Sequence, residues 1–410
     1  MLVHEPTIRT AAGEIRCSAR LEMDKPLPNL PQELWYRFPE KYAADISTRA
    51  EAFAPTALLV AMYAAEDLVI RGPISPLLAY NLFEYRNIYH SWRPKIFKMV
   101  DIQYDCLEKA PASVQPAAAA TAFSGGVDSF YTLWAHLPGN QPIPQARVTH
   151  GLFVHGLDLR LDDPNNFQAA AIHYQALFED MGLELILAST NAYQFSEFRI
   201  NWTLFDGPPL VGAASLLSPL LGRFYIPSGM PSYLKLIPQG SSPLTDHLLS
   251  TETLDIIHHG ASISRYEKTL AVVNWPVTYN SLRVCSDKQK MFGLKNCAVC
   301  QKCYRTMTLL EILDVFENYS ENFPTGLSIG SYLRWGLLTH LDPDQAGAIR
   351  KNALESGRFG MAFFVQVAIL LRIIKRFLVE SFKIILGRQA IYRLKRKVYP
   401  PESGINGREQ

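Results

Sequence analysis

This chain of 410 residues lacks several features that would place it quickly. No stretch offers about 18 uncharged apolar residues, so a membrane-spanning helix is not expected. The first residues, MLVHEPTIRTAAGEIR, contain no basic segment followed by a long apolar one, so no secretory signal is expected either. Neither sign of charge prevails: 40 Lys plus Arg stand against 38 Asp plus Glu, a formal net charge of +2 that points to no class of partner. There is no internal repeat of the solenoid type. No Ser–His–acid triad can be argued from spacing, and no cysteine directly follows Met1, so a built-in glutaminase with an N-terminal cysteine nucleophile is not expected. Cysteine is scarce, with six in the chain, and four of those fall between residues 285 and 303. In a large chain without a signal segment, such clustering points to a metal site rather than a disulfide framework, and to the cytoplasm. Cys17 and Cys106 stand apart, and core packing is their expected role.

What is present is a folded chain, 48% apolar and 19% charged, long enough for two or three domains. EIRCSARL (residues 14–21) alternates strictly and reads as a half-buried antiparallel strand. The stretch from Ala54 to Trp92 reads as helix, strand, helix, with Pro55 at one helix start and Ser75–Pro76 at the other. PASVQPAAAA marks a join. Beyond it, AAAATAF, THGLFVHG, LELILAS, RFYIPSG and TLDIIHHG are short apolar runs, most of them separated by helical stretches. That rhythm predicts crossover connections and a parallel, doubly wound α/β sheet covered on both faces. Three regions are expected: an accessory α+β domain over 1–115, the doubly wound domain over 116–325, and a helical basic region over 326–410.

Between the first of these strands and its helix lies SGGVDS, residues 124–129. One reading is a strand-to-helix turn capped by Asp128 or Ser129. The other is a phosphate cradle, in which main-chain amides converge at a helix N-terminus. Gly125 and Gly126 would let the main chain approach an anion, Ser124 and Ser129 supply hydroxyl donors, and Asp128 orders the loop or faces a Mg²⁺. The loop is neither G-x-x-x-x-G-K-[ST] nor G-x-G-x-x-G. It resembles the S-G-G-x-D-S motif of the N-type ATP pyrophosphatases, the PP-loop superfamily. The resemblance implies a Rossmann-like sheet that binds ATP and cleavage between its α and β phosphates. It also implies nucleotide contacts from Ser124, Gly125, Gly126, Val127, Asp128 and Ser129.

Cys285, Cys297, Cys300 and Cys303 are spaced C-x11-C-x2-C-x2-C. Four thiolates suit a structural Zn²⁺ with no open position. An iron–sulfur cluster or unmetallated thiols are the alternatives. A loop of this type followed by such a cluster resembles 7-cyano-7-deazaguanine synthase over roughly residues 118–315. That likeness implies ATP-dependent adenylation of a carboxylate or amide, a deazaguanine acid as the leading acceptor, and C–N bond formation with ammonia from solution or a partner. The long flanking regions and the wide gap from Cys285 to Cys297 depart from it and leave the acceptor open. Base thiolation or another modification of tRNA by the same chemistry, and a non-catalytic nucleotide sensor, are the other readings.

Several further residues are candidates. His155 and Asp158 follow the second strand, where the resemblance places adenine, although a polar loop over the sheet edge would look the same. Arg265 and Lys268 are candidate catalytic cations for the departing pyrophosphate, and Lys302 and Arg305 have similar standing. The turn-rich stretch from Ile226 to Ser250, with Gly229, Gly240 and Asp246, reads as part of an acceptor pocket or a lid. Adjacent His258 and His259 should face opposite sides of a strand. From residue 350 onward, thirteen Lys plus Arg face four Glu and no Asp. That segment reads as a helix docked on the protein itself or on a partner, as an amphipathic helix on an anionic membrane, or as a nucleic-acid contact. A homo-oligomer is a further expectation.

Overall fold

A computed structural model describes residues 1–111, 118–197, 199–229, 232–285 and 293–398, with side chains through residue 381. Residues 112–117 of the expected join PASVQPAAAA therefore lie outside the described residues, as do the basic side chains beyond 381. The chain forms two compact units, Met1–Asn296 and a second that begins at Cys297.

The first unit is built on one mixed sheet. Its early elements are β1 (Leu2–Val3), β2 (Thr7–Ala11), β3 (Glu14–Glu22), β4 (Glu33–Pro39), α1 (Ala54–Ala64), β5 (Leu68–Ile74), α2 (Pro76–Trp92) and β6 (Ile102–Leu107). The alternation in β3 buries Ile15, Cys17, Ala19 and Leu21, and β4 repeats the pattern with Leu34, Tyr36 and Phe38. Pro55 sits in the first turn of α1, and the Ser75 hydroxyl caps α2 by accepting from the Leu78 amide at 3.0 Å.

The later elements are β7 (Ala118–Ala122), α3 (Val127–Ala135), β8 (His150–His155), α4 (Pro164–Asp180), β9 (Glu184–Thr190), α5 (Tyr193–Ser196), α6 (Gly207–Leu216), β10 (Leu221–Pro227), β11 (Asp255–His259) and α7 (Arg265–Val272). The five expected apolar runs are these five strands. Their neighbours pair in parallel in the order β11-β10-β7-β8-β9. The strand order reverses direction at β7, so the loop after β7 opens at a topological switch point.

The early strands do not stand off as a separate body. β4 pairs antiparallel with β9 through Tyr36↔Thr190 and Arg37↔Ser189, extending the sheet through β3, β1, β5 and β6. Asn191 reinforces that seam: its Oδ1 accepts from the Trp35 amide at 2.9 Å, and its Nδ2 donates to the Glu33 carbonyl at 2.8 Å. One apolar core runs from Val3 and Leu59 to Ile186, Phe224 and Ile256. The expected boundary at 115/116 thus falls within one unit, because strands on both sides of it share a sheet and a core. On the opposite face, the Phe123 ring meets Phe130, Tyr174 and Phe178 edge-on at 5.0, 5.1 and 4.9 Å.

The second unit is helical over its described residues: α8 (Gln301–Ile312), α9 (Ile329–Leu338), α10 (Pro343–Glu355) and α11 (Phe359–Val398). Ser328 and Asp342 cap α9 and α10, and α11 packs against both. Among the described residues, no helix is long and apolar enough to cross a membrane.

The tightest approach across the shared core is at Gly212 of α6. A Cβ there would lie 2.4 Å from both the Ala52 carbonyl oxygen and the Tyr36 hydroxyl. Gly212→Ala should cost about 1–3 kcal/mol by overpacking, read as a lower urea midpoint. An unchanged midpoint would mean that the two halves are not packed as described.

Candidate functional site

β7 is made of AAATA, an inner strand whose small side chains leave room for helices on both faces. It runs into Phe123, then Ser124, Gly125 and Gly126, and α3 begins at Val127 with Gly126 as its N-cap. No side chain caps that end. Ser129 instead donates from its hydroxyl to the Gly126 carbonyl at 2.9 Å. The alternative of a turn capped by Asp128 or Ser129 is therefore not the local arrangement.

Gly125 is required twice over. Its φ is +75°, and a Cβ would fall 1.7 Å from the Tyr174 hydroxyl, which donates to the Ser281 carbonyl at 3.0 Å. Gly126 differs: a Cβ would meet only ordinary contacts, Ser124 Oγ at 3.5 Å and the Arg283 carbonyl at 3.8 Å. The loop's carbonyls are held away from any anion by Arg283. Its amide donates to the Gly125 carbonyl at 2.7 Å, and its guanidinium donates to the Ser124 carbonyl at 3.1 Å. With those negative dipole ends engaged, amides and the positive end of α3 are what the loop offers to an anion.

Asp128, Arg265 and Lys268 come together. α7 starts with a capping box between Ser264 and Glu267, which fixes its first turn against α3. Arg265 Nη2 donates to Asp128 Oδ2 at 2.5 Å, and Lys268 Nζ lies 3.4 Å from Asp128 Oδ1. Lys268 also donates to the Ser228 carbonyl at 2.6 Å, and its side chain is only 4% exposed. Burial pulls the Lys268 pKa down, while the Asp128 carboxylate opposes that shift.

His155 is used for packing. Its Nε2 donates to the Arg160 carbonyl at 2.6 Å, its ring stacks on Phe167 at 4.4 Å, and burial lowers its pKa. Asp158, just beyond, is exposed. His258 and His259 diverge as expected: Asp246 holds His258 Nδ1 at 2.8 Å, whereas His259 Nδ1 meets the Thr132 hydroxyl at 3.1 Å.

The turn-rich stretch before β11 is only partly loose. Tyr233 and Leu234 stand exposed, but Asp246 is buried and accepts from the Ser241 hydroxyl at 2.8 Å and the Ser242 amide at 3.0 Å. Around Asp246 lies a polar cluster the sequence did not suggest. Asp206 Oδ1 is buried near Gly240, and its pKa is raised well above the carboxylate range, first by burial and then by Asp158 and Asp246.

The sulfurs of Cys285, Cys297, Cys300 and Cys303 all lie within 4.8 Å of one another, and none is in a disulfide. Cys300 and Cys297 sit 3.5 and 3.8 Å from Cys303, Sγ to Sγ. A tetrahedral zinc with Zn–S near 2.3 Å has edges of about 3.8 Å, so the donor set fits such an ion. Ala298 takes φ +55° in the turn between Cys297 and Cys300, and the Cys300 amide donates to Cys297 Sγ at 3.3 Å. Cys300 is the N-cap of α8, which puts Cys303 in its first turn.

Three residues that matter here were not singled out by sequence reasoning: Tyr174, Arg283 and Asn296. Asn296 Oδ1 accepts from the Val284 and Cys285 amides at 2.8 and 3.0 Å, and its Nδ2 donates to the Leu282 carbonyl at 2.9 Å. Its place beside Cys297 was the available signal. Arg305 pairs with Gln345 at 2.5 Å, and Lys302 is exposed.

No protein-family model, curated protein or solved structure matches the chain.

Two outcomes follow from this geometry. Asn296→Ala frees two amides beside Cys285, and zinc affinity, measured by chelator competition, should fall about 10–100-fold. Unchanged affinity would show that Asn296 does not position the cluster. His259 provides a pH test. Burial, aided by His136 and Lys268, holds its pKa at about 3 against an ordinary 6.5. Between those values the unfolded chain binds a proton that the folded one does not, so this contribution to stability is present above about pH 6.5 and is lost on acidification. Urea midpoints at about pH 7 and about pH 5 should differ more for the parent than for His259→Gln, and equal differences would contradict the assignment.

Proposed function

We propose that this chain is an ATP-dependent enzyme of the PP-loop kind, which adenylates a carboxylate or amide oxygen and passes the activated group to an amine or another nucleophile. Its parallel strands are then a Rossmann-like nucleotide-binding sheet. One observation carries the reading: SGGVDS stands at the carboxyl end of β7, where the strand order reverses, with its carbonyls bonded to Arg283.

In this reading Ser124, Gly125, Gly126, Val127 and Ser129 line the β and γ phosphates of ATP. Asp128 would be the residue to hold a Mg²⁺, which would neutralise phosphate charge there. The acceptor oxygen attacks the α-phosphorus, the bond to the bridging oxygen breaks, and pyrophosphate leaves with the electron pair. Arg265 and Lys268 neutralise the charge that gathers on it. An amine then attacks the activated carbon and AMP departs. The four cysteines hold a structural zinc that leaves no position for substrate. A deazaguanine acid is the leading acceptor, on the strength of the loop and cysteine motifs occurring in that order.

The test has two arms. Incubation with ATP, Mg²⁺ and the deazaguanine acid should yield AMP and an acceptor of altered mass, whereas absence of AMP with any carboxylate would overturn the enzyme reading. Gly126→Ala meets no obstruction from the protein, so it should melt with the parent yet bind ATP about tenfold more weakly. Unchanged ATP affinity in that folded variant would remove the loop from the phosphate site.

A further inference from the structure

Residues 281–285 join the nucleotide loop to the cysteine cluster. Arg283 is bonded to the loop twice, its amide to the Gly125 carbonyl at 2.7 Å and its guanidinium to the Ser124 carbonyl at 3.1 Å. Two residues later, the Cys285 sulfur lies within 4.8 Å of those of Cys297, Cys300 and Cys303. Two residues of extended chain span at most about 7 Å, so a displacement of Cys285 is felt at Arg283. Asn296 closes the stretch on itself. Its side chain accepts from the Val284 and Cys285 amides and donates to the Leu282 carbonyl, and its neighbour in the chain is Cys297. Arg283 therefore lies on a segment tied to one metal position at Cys285 and, through Asn296, at Cys297.

The two ends of the segment are held differently. At the upstream end α4 holds Ser281, whose carbonyl accepts from the Tyr174 hydroxyl at 3.0 Å and whose own hydroxyl lies 2.8 Å from His173 Nε2. At the downstream end the holding residues are a metal ligand and the asparagine beside another. Arg283 and Asn296 are buried, at 6% and 1% exposure, so they move with their backbone and not independently of it. The position of Arg283 in turn decides which pole of the loop an anion meets. With Arg283 in place the Ser124 and Gly125 carbonyls are engaged and the amides are offered. With Arg283 displaced those carbonyls are released, and the glycine pair permits them to turn toward a ligand.

We propose, building on the reading of SGGVDS as a phosphate site, that the cysteine cluster and the loop are thermodynamically linked through Arg283. Metal held by the cysteines raises the loop's affinity for the phosphates of a nucleotide, and a bound nucleotide raises the cluster's affinity for metal by the same factor. Arg283 is the positioning residue that carries the linkage.

Calorimetric titration of the full chain with ATP and saturating Mg²⁺, zinc-loaded and after zinc removal, tests it. The loaded chain should bind ATP about tenfold more tightly. Zinc affinity, from competition with a chelator that outcompetes ATP for the metal, should rise by about the same factor when ATP is present. Arg283→Gln should hold zinc equally tightly with and without ATP. Amide hydrogen exchange needs no variant: on zinc removal the Arg283, Val284 and Cys285 amides should lose protection while those of β8 and β9 keep theirs. Protection lost throughout the sheet would make the metal a requirement of the whole fold and overturn the linkage, as would protection retained at Arg283. Equal ATP affinity in the two states overturns the linkage alone and leaves the phosphate site standing. No ATP binding in either state removes the phosphate site, and the linkage with it.

Discussion

The grip of Arg283 on the loop after β7 is the constraint from which the rest of the first unit's chemistry follows. A glycine-rich loop can present either carbonyls or amides to a visitor, and the two choices have opposite electrostatic sign. Here the Ser124 and Gly125 carbonyls are bonded to Arg283, and Tyr174 fills the space beside Gly125. Both partners are held from elsewhere: Tyr174 by the Ser281 carbonyl, and the segment of Arg283 by Asn296, which fastens residues 282–285. The orientation of the Ser124 and Gly125 carbonyls is thus maintained by a helix and a turn remote in sequence. Preorganisation of this kind spares a ligand the cost of reorienting dipoles.

Asp128 adds a second level. It stands at the start of α3, where a carboxylate is favoured by the helix dipole, and it engages both cations contributed by α7. Lys268 is buried at a cost that Asp128 and the Ser228 carbonyl offset. The same carboxylate thus ties the first turn of α7 to the first turn of α3.

The legibility of this structure from sequence divides by contact range. Strands β7 to β11 are visible because each is a short apolar run flanked by turn residues, and β3 because it alternates. The strand at Glu33–Pro39 carries the same alternation, in Leu34, Tyr36 and Phe38, but the Pro-rich stretch just before it masks the pattern. The loop and the four cysteines are legible as local motifs. Tyr174, Arg283 and Asn296 are not, since each acts through contacts with no local signature; Arg283 and Ser124 are 159 residues apart. The continuity of the sheet is hidden for the same reason, because its seam rests on two register pairs and the side chains of Thr190 and Asn191.

That seam fixes what the first hundred residues contribute. β9 ends the parallel series, and without β4 its outer rim of amides and carbonyls would be a bare template for foreign strands. The N-terminal strands act as a selvedge, finishing a border that would otherwise ravel into aggregates. A fragment trimmed to β7–β11 alone would keep the SGGVDS loop and bare that border.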